Sequence, residues 1–93
     1  MYVVLIYDIA TDEGSPKVTR NVFKIAKKYL THIQKSVFEG NLTELNYRKL
    51  EKELSRHIRK DRDSVIIFKS REERWLEKSF WGIDESEKTS NFF

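Results

Sequence analysis

Apolar and polar positions alternate in blocks along the chain. Tyr2–Ile9 (YVVLIYDI) is a near-continuous apolar run rich in β-branched residues. It ends at the turn-rich segment Ala10–Pro16, which contains Gly14, Ser15 and Pro16. Such a run predicts a strand buried on both faces. A helix follows, with Ser15 as its expected N-cap and Pro16 as its first helical residue. Val18, Val22, Ile25, Ala26 and Tyr29 recur at helical spacing and form its apolar face. His32–Thr43 reads as extended around Val37-Phe38, with a bulge or turn expected at Gly40-Asn41. Thr43 is placed to cap a second helix, with Glu44 in its first turn and Tyr47, Leu50, Leu54 and Ile58 as its buried stripe. Ser64–Phe68 (SVIIF) reads as another short strand, and Trp75–Trp81 as one more.

The element order is strand, helix, strand, strand, helix, strand. That is the split βαβ pattern of an α+β, ferredoxin-like βαββαβ sandwich with an additional C-terminal strand. Residues 1–82 form one domain, and 83–93 a polar tail expected to be poorly ordered. The fourth strand falls at a sheet edge in this fold. Val65-Ile66-Ile67-Phe68 is too apolar to lie bare there. Trp75–Trp81, from the same or a second copy of the chain, is the expected cover. At 93 residues the core has little margin, and a homodimer adds buried area.

Charge changes the picture by its distribution. The net charge is only +3, from 18 Lys+Arg against 15 Asp+Glu. Yet no acid occurs between Gly14 and Phe38, where Lys17, Arg20, Lys24, Lys27, Lys28 and Lys35 lie. Lys17, Arg20, Lys24, Lys27 and Lys28 share an arc of roughly 100° on the polar face of the first helix. Such a stripe suits a phosphate backbone, though a solvated helix face reads the same way. Arg56, Arg59, Lys60 and Arg62 form an alternative track.

Asp8 is the first carboxylate, at the end of the first strand. Position alone favours a turn-capping role for it over a catalytic one. A symmetric dimer, however, can bring two copies of Asp8 together, and Mg²⁺ binds through one or two carboxylates plus water and phosphate oxygens. Asp12 and Glu13 are ordinary loop acids. His32 and His57 read as structural before catalytic, and Trp75, Phe80 and Trp81 as core or interface before base-stacking. The absence of cysteine removes disulfides and thiolate chemistry. Nucleotide-binding, zinc-protease and serine-hydrolase motifs are absent. No apolar run approaches the ~20 residues of a membrane span, and no signal peptide is apparent. The expected location is cytoplasmic, with no membrane partner.

Tyr7-Asp8-Ile9 at a strand end, a basic helix, and then Gln34-Lys35-Ser36-Val37-Phe38-Glu39-Gly40 resemble the small CRISPR-associated endoribonuclease family ("Cas two"). Asp63–Phe68 resembles that family's fourth strand. The resemblance implies a ferredoxin-like homodimer and a metal-dependent endonuclease acting on single-stranded RNA, double-stranded DNA or both. It carries the catalytic and metal-binding role onto Asp8, with Mg²⁺ between the subunits. It also implies work beside the CRISPR-associated integrase ("Cas one") in spacer acquisition for antiviral defence. There the dimer serves as a DNA-holding adaptor whose cleavage activity is dispensable. Relatives often carry more arginine early in the first helix, where this chain has Lys17, Arg20 and Asn21. Many also have a glycine near that helix's end, where Leu30-Thr31 stand. Toxin-type ribonucleases of the virulence-associated kind share the fold and remain the alternative.

Overall fold

The structure is a computed structural model that describes residues 1–77, 79 and 81. The elements are β1 (Tyr2–Asp8), α1 (Ser15–Tyr29), β2 (Thr31–Gln34), β3 (Val37–Asn41), α2 (Glu44–Ser55) and β4 (Ser64–Ser70). A short 3₁₀ turn follows at Glu73–Trp75. The four strands form one antiparallel sheet in the order β2-β3-β1-β4, so both helical crossovers skip a strand. This is the ferredoxin-like arrangement that the element order predicts.

Strand alternation divides the sheet into two unlike faces. Val3, Leu5 and Tyr7 of β1 and Phe38 of β3 point under the helices and are almost wholly enclosed. Val22, Ile25 and Ala26 of α1 and Tyr47, Leu50 and Leu54 of α2 close over them. The aromatic rings interlock, with Phe23 edge-on to Phe38 at 5.5 Å and Tyr7 stacked on Phe38 at 6.1 Å. On the opposite face β1 contributes Tyr2, Val4, Ile6 and Asp8, β3 contributes Glu39, whose carboxylate accepts from the Tyr2 hydroxyl, and β4 contributes Ile66 and Phe68. Tyr2 on that face is buried but Val4 and Ile6 are only half-buried, so the expectation of a first strand buried on both faces holds throughout on the helix side and only at Tyr2 on the other.

Several boundaries differ from the sequence reading. Gly14, not Ser15, is the N-cap of α1, and its lack of a side chain leaves capping to the preceding loop. Asp12 Oδ1 accepts from the Gly14 amide, and the Ser15 hydroxyl donates to the Asp12 carbonyl. Gly40-Asn41 does not turn; both residues lie within β3. A Cβ on Gly40 would meet Leu30 Cδ2 at 3.1 Å, so the glycine answers to strand–helix approach. The turn instead falls at Lys35-Ser36, where Lys35 takes a left-handed conformation with φ 38°. A register shift between His32 and Gln34 precedes it. Thr43 caps α2 as expected, its Oγ1 accepting from the Asn46 amide at 3.1 Å. Ile58 lies beyond the end of α2 and packs against the core from the following loop.

The described part of Trp75–Trp81 forms no strand. Glu73–Trp75 is a 3₁₀ turn closed by the Leu76 amide on the Glu73 carbonyl at 2.9 Å. Lys78, Phe80 and the expected tail over residues 83–93 lie outside the described residues.

Candidate active site and nucleic-acid interface

Asp8 ends β1 opposite Ser64, the first residue of β4. Its side chain is exposed, on the same face as Val4, Ile6, Ile66 and Phe68. The backbone around it is tied down on both sides. The Tyr7 amide donates to the Ser36 carbonyl of the β2–β3 turn at 3.2 Å. Beyond Asp8 the Ala10 amide donates to Asp63 Oδ1 at 3.0 Å. A side chain thus continues the ladder after the strand stops.

Asp63 belongs to a compact ion network under the loop that follows Asp8. Its side chain is fully enclosed, and it accepts from Arg59 Nε at 2.9 Å and Nη2 at 3.0 Å, a bidentate pair. It also accepts from the Arg59 amide at 2.9 Å. Arg59 reaches on to Asp12 Oδ1 through Nη1 at 2.6 Å and to the Ala10 carbonyl through Nη2 at 3.1 Å. The guanidinium holds the Asp63 carboxyl well below the usual carboxylate range, against the opposing effect of burial. Asp12 is lowered for the same reason, helped by the Gly14 amide and Arg62. The two carboxylates push Arg59 upward in turn. Arg59 and Arg62 are therefore engaged with acids, which leaves Arg56 and Lys60 of the alternative basic track.

The stripe on α1 is present as read. Lys17, Arg20, Lys24 and Lys28 are exposed, and Lys27 is half-buried. Arg20, Lys24, Lys27 and Lys28 line a shallow depression together with Thr19 and Phe23. Lys17 stands one turn nearer the helix start, outside that lining. The stripe is not uniform. Lys28 Nζ pairs with Glu53 Oε1 of α2 at 3.0 Å, and that contact raises its pKa. Desolvation pulls the Lys27 ammonium down from the usual lysine range. Lys27 and Lys28 also sit in the last turn of α1, where its dipole favours cations.

The His32 side chain makes several contacts within the fold. His32 Nε2 lies 2.6 Å from the Lys35 carbonyl and so braces the left-handed turn residue. Its ring packs against Phe23 at 4.8 Å and Phe38 at 4.7 Å. His57 is half-buried in the turn after α2, its amide on the Leu54 carbonyl at 3.0 Å. Among the described residues no three His, Cys, Asp or Glu side chains converge on a metal-sized site. Asp8 is an exposed oxygen donor of the kind that suits a well-hydrated hard cation. None of the described helices is long and apolar enough to cross a membrane.

Residues 1–78 match the family model described as CRISPR associated protein Cas2. The chain belongs to the Cas2 family. A CRISPR-associated endoribonuclease Cas2 from Fusobacterium nucleatum is 54% identical over 92 residues, covering 99% of this chain and 86% of that protein. Another of that name, from Methanothermobacter thermautotrophicus, is 37% identical over 86 residues, covering 92% and 89%. Among solved structures, one described as a crystal structure of Cas2 superposes with a TM-score of 0.79 at 34% identity, covering 92% of this chain and 91% of that one. The Streptococcus pyogenes Cas2 structure gives 0.72 at 26% identity, covering 86% and 100%. Cas2 membership thus agrees with the family that Tyr7-Asp8-Ile9 and Gln34–Gly40 pointed to, and not with the toxin-type alternative.

Proposed function

We propose that this Cas2 chain is a metal-dependent endoribonuclease that works as a homodimer, with Asp8 from each subunit at the shared catalytic centre. One observation carries the reading: Asp8 is an exposed carboxylate on the rim of a sheet face that, among the described residues, leaves the large apolar side chains Ile66 and Phe68 half in water. Ile66 and Phe68 are 50% and 52% exposed on that face. A twofold axis that passes close to Asp8 at this rim brings its two copies together, while the apolar residues of each copy pack against the other. Two carboxylates there supply the oxygen donors that Mg²⁺ takes from protein. The metal when bound polarises a phosphodiester and lowers the pKa of a bound water. The work of the chain's own residues is to hold the Asp8 carboxylate at the dimer axis and to bring the nucleic-acid backbone to it. Single-stranded RNA is the substrate class, with double-stranded DNA as a further one.

The basic depression on α1 supports a second role. Arg20, Lys24 and Lys27, with Lys17 beside them, present positive charge to phosphates without reading bases. Such a dimer can hold duplex DNA and bridge subunits of the CRISPR-associated integrase during spacer acquisition, cleavage or no cleavage. Location in the cytoplasm follows from that work.

The test is Asp8→Asn, assayed on a single-stranded RNA oligonucleotide with Mg²⁺. Cleavage is expected to vanish while the variant stays dimeric and still binds the oligonucleotide. Full cleavage by the variant refutes the nuclease reading. Lys24→Glu with Lys28→Glu is expected to weaken duplex binding and flatten its salt dependence, because fewer counterions are released. Unchanged binding removes α1 as the nucleic-acid surface.

A further inference from the structure

We infer that Arg59 and Asp63 are positioning residues for Asp8, acting through a clamp on the loop that follows it. The inference rests on the nuclease reading above and adds to it. Asp8 is the last residue of β1, and an exposed strand end frays unless its continuation is fixed. Here the continuation is fixed by side chains. Asp63 takes the Ala10 amide at 3.0 Å, and Arg59 Nη2 takes the Ala10 carbonyl at 3.1 Å. Both polar groups of the residue two beyond Asp8 are thereby held. Asp63 also immediately precedes Ser64, the cross-strand partner of Asp8. One carboxylate therefore sets the strand on each side of the candidate metal ligand.

The clamp is built for rigidity. Arg59 presents its guanidinium to Asp63 in two parallel bonds, a planar geometry that lysine cannot copy. Its other arm holds Asp12 at 2.6 Å, and Asp12 holds the Gly14 amide at 2.9 Å at the start of α1. Gly14 leaves the room this requires, since a Cβ there would lie 3.2 Å from Arg59 Nη1. The loop from Asp8 to the basic helix is thus fastened at Ala10 and Asp12 by a pair of residues from the α2–β4 loop, and Asp12 in turn holds Gly14. Their effect reaches the Asp8 carboxylate through the backbone, because their bonds go to Ala10 and Asp12 and not to Asp8 itself.

The experiment compares Arg59→Gln, Arg59→Lys and Asp8→Asn in the full-length dimer. Three things are read: Mg²⁺-dependent cleavage of single-stranded RNA, split into kcat and KM; Mn²⁺ affinity from water-proton relaxation; and hydrogen exchange at the Ala10 amide. Arg59→Gln is expected to lower kcat by about 10- to 100-fold and weaken Mn²⁺ binding by about tenfold. KM should move less than about twofold, because the α1 stripe still holds the RNA, and Ala10 exchange should accelerate. Arg59→Lys should recover part of the loss by restoring the charge without the fork. If Arg59→Gln does not fold, Asp12→Ala removes the acceptor at the outer arm of the clamp and is expected to shift the same readouts in the same direction by a smaller factor. Unchanged kcat and Mn²⁺ affinity in a folded variant, with Asp8→Asn inactive, overturns the clamp alone. A raised KM with kcat intact also overturns it, since Arg59 would then be holding nucleic acid. Full cleavage by Asp8→Asn overturns the nuclease reading instead.

Discussion

Phe38 and Phe68 are the same side chain on strands that flank β1, and they have opposite fates. Phe38 faces the helices and is 0% exposed; Phe68 faces away and is 52% exposed. Around Phe38 this chain supplies every neighbour, from Tyr7 and Leu5 to Phe23 on α1. Around Phe68 it supplies the floor of a groove, Val4 and Ile6, and one wall at Leu76 and Trp81. The chain therefore carries apolar residues for two sheet faces and helices for one. The covered face is what one copy needs to fold. On the proposed function the open face receives a second copy, and Asp8 stands at its edge. On that reading stability and function are divided between the two sides of one sheet.

Truncation on the covered side should cost most. Phe38→Ala leaves a cavity among rings and aliphatic chains that cannot collapse without moving the sheet. We expect a loss of about 3–5 kcal/mol in urea unfolding. A loss below about 1 kcal/mol would mean that the helix face is loosely packed, and the contrast between the faces would disappear.

The ion network under the Asp8 loop sits between these extremes. Asp63→Ala removes an enclosed carboxylate with four hydrogen bonds to Arg59 and Ala10. The expected cost is about 2 kcal/mol, in the range for hydrogen bonds to charged groups. It stays near that value because Arg59 keeps 22% of its side-chain surface in water and can rehydrate. The pH dependence has a definite sign. Asp63 has a folded pKa below its unfolded value of about 3.9, so its stabilisation is present above that pH and lost as the pH falls through and below it. Wild type should therefore lose stability between about pH 5 and pH 2 more steeply than Asp63→Ala. Parallel acid unfolding curves would show that Asp63 contributes nothing through its charge.

Much of the fold was legible in the sequence, and the reasons can be named. The β1 run, the helical spacing of Val18 to Tyr29 and the Thr43 cap are local signals, and each appears where it was read. The turn at Lys35-Ser36 was missed because neither residue advertises a left-handed backbone; His32 supplies the brace from three residues away. Gly40 misled because its reason is Leu30 on another element. Asp8 and the α1 stripe were legible for the same cause, being set by one strand end and one helix face. The Arg59–Asp63 clamp was not. The i,i+4 spacing of the pair is visible in the sequence, but its purpose lies in Ala10 and Asp12, brought near only by the pairing of β1 with β4.

A smaller effect comes from the cap of α2. Thr43→Ala leaves the Asn46 amide without its Oγ1 partner at the first turn of the helix. About 1 kcal/mol should be lost in urea unfolding. Dimerisation should not change, since α2 lies on the covered side. Weakened association would show that the two faces are coupled through the sheet.

Phe68→Ser should do least to a single chain, and for that reason it separates the two faces most sharply. Phe68 is already half in water, so its loss should cost the isolated subunit less than about 1 kcal/mol. In a dimer the same ring is part of the interface, and association adds to apparent stability by mass action. The wild-type unfolding midpoint should therefore rise with protein concentration, whereas that of Phe68→Ser should stay flat and sediment as monomer. At high dilution the two midpoints should converge. Cleavage should fall with association, because one copy of Asp8 would then stand alone. If the variant instead loses several kcal/mol at every dilution, Phe68 belongs to the folding core and the sheet has no face to spare. If its concentration dependence matches wild type, the second copy binds elsewhere and Asp8 has lost its partner.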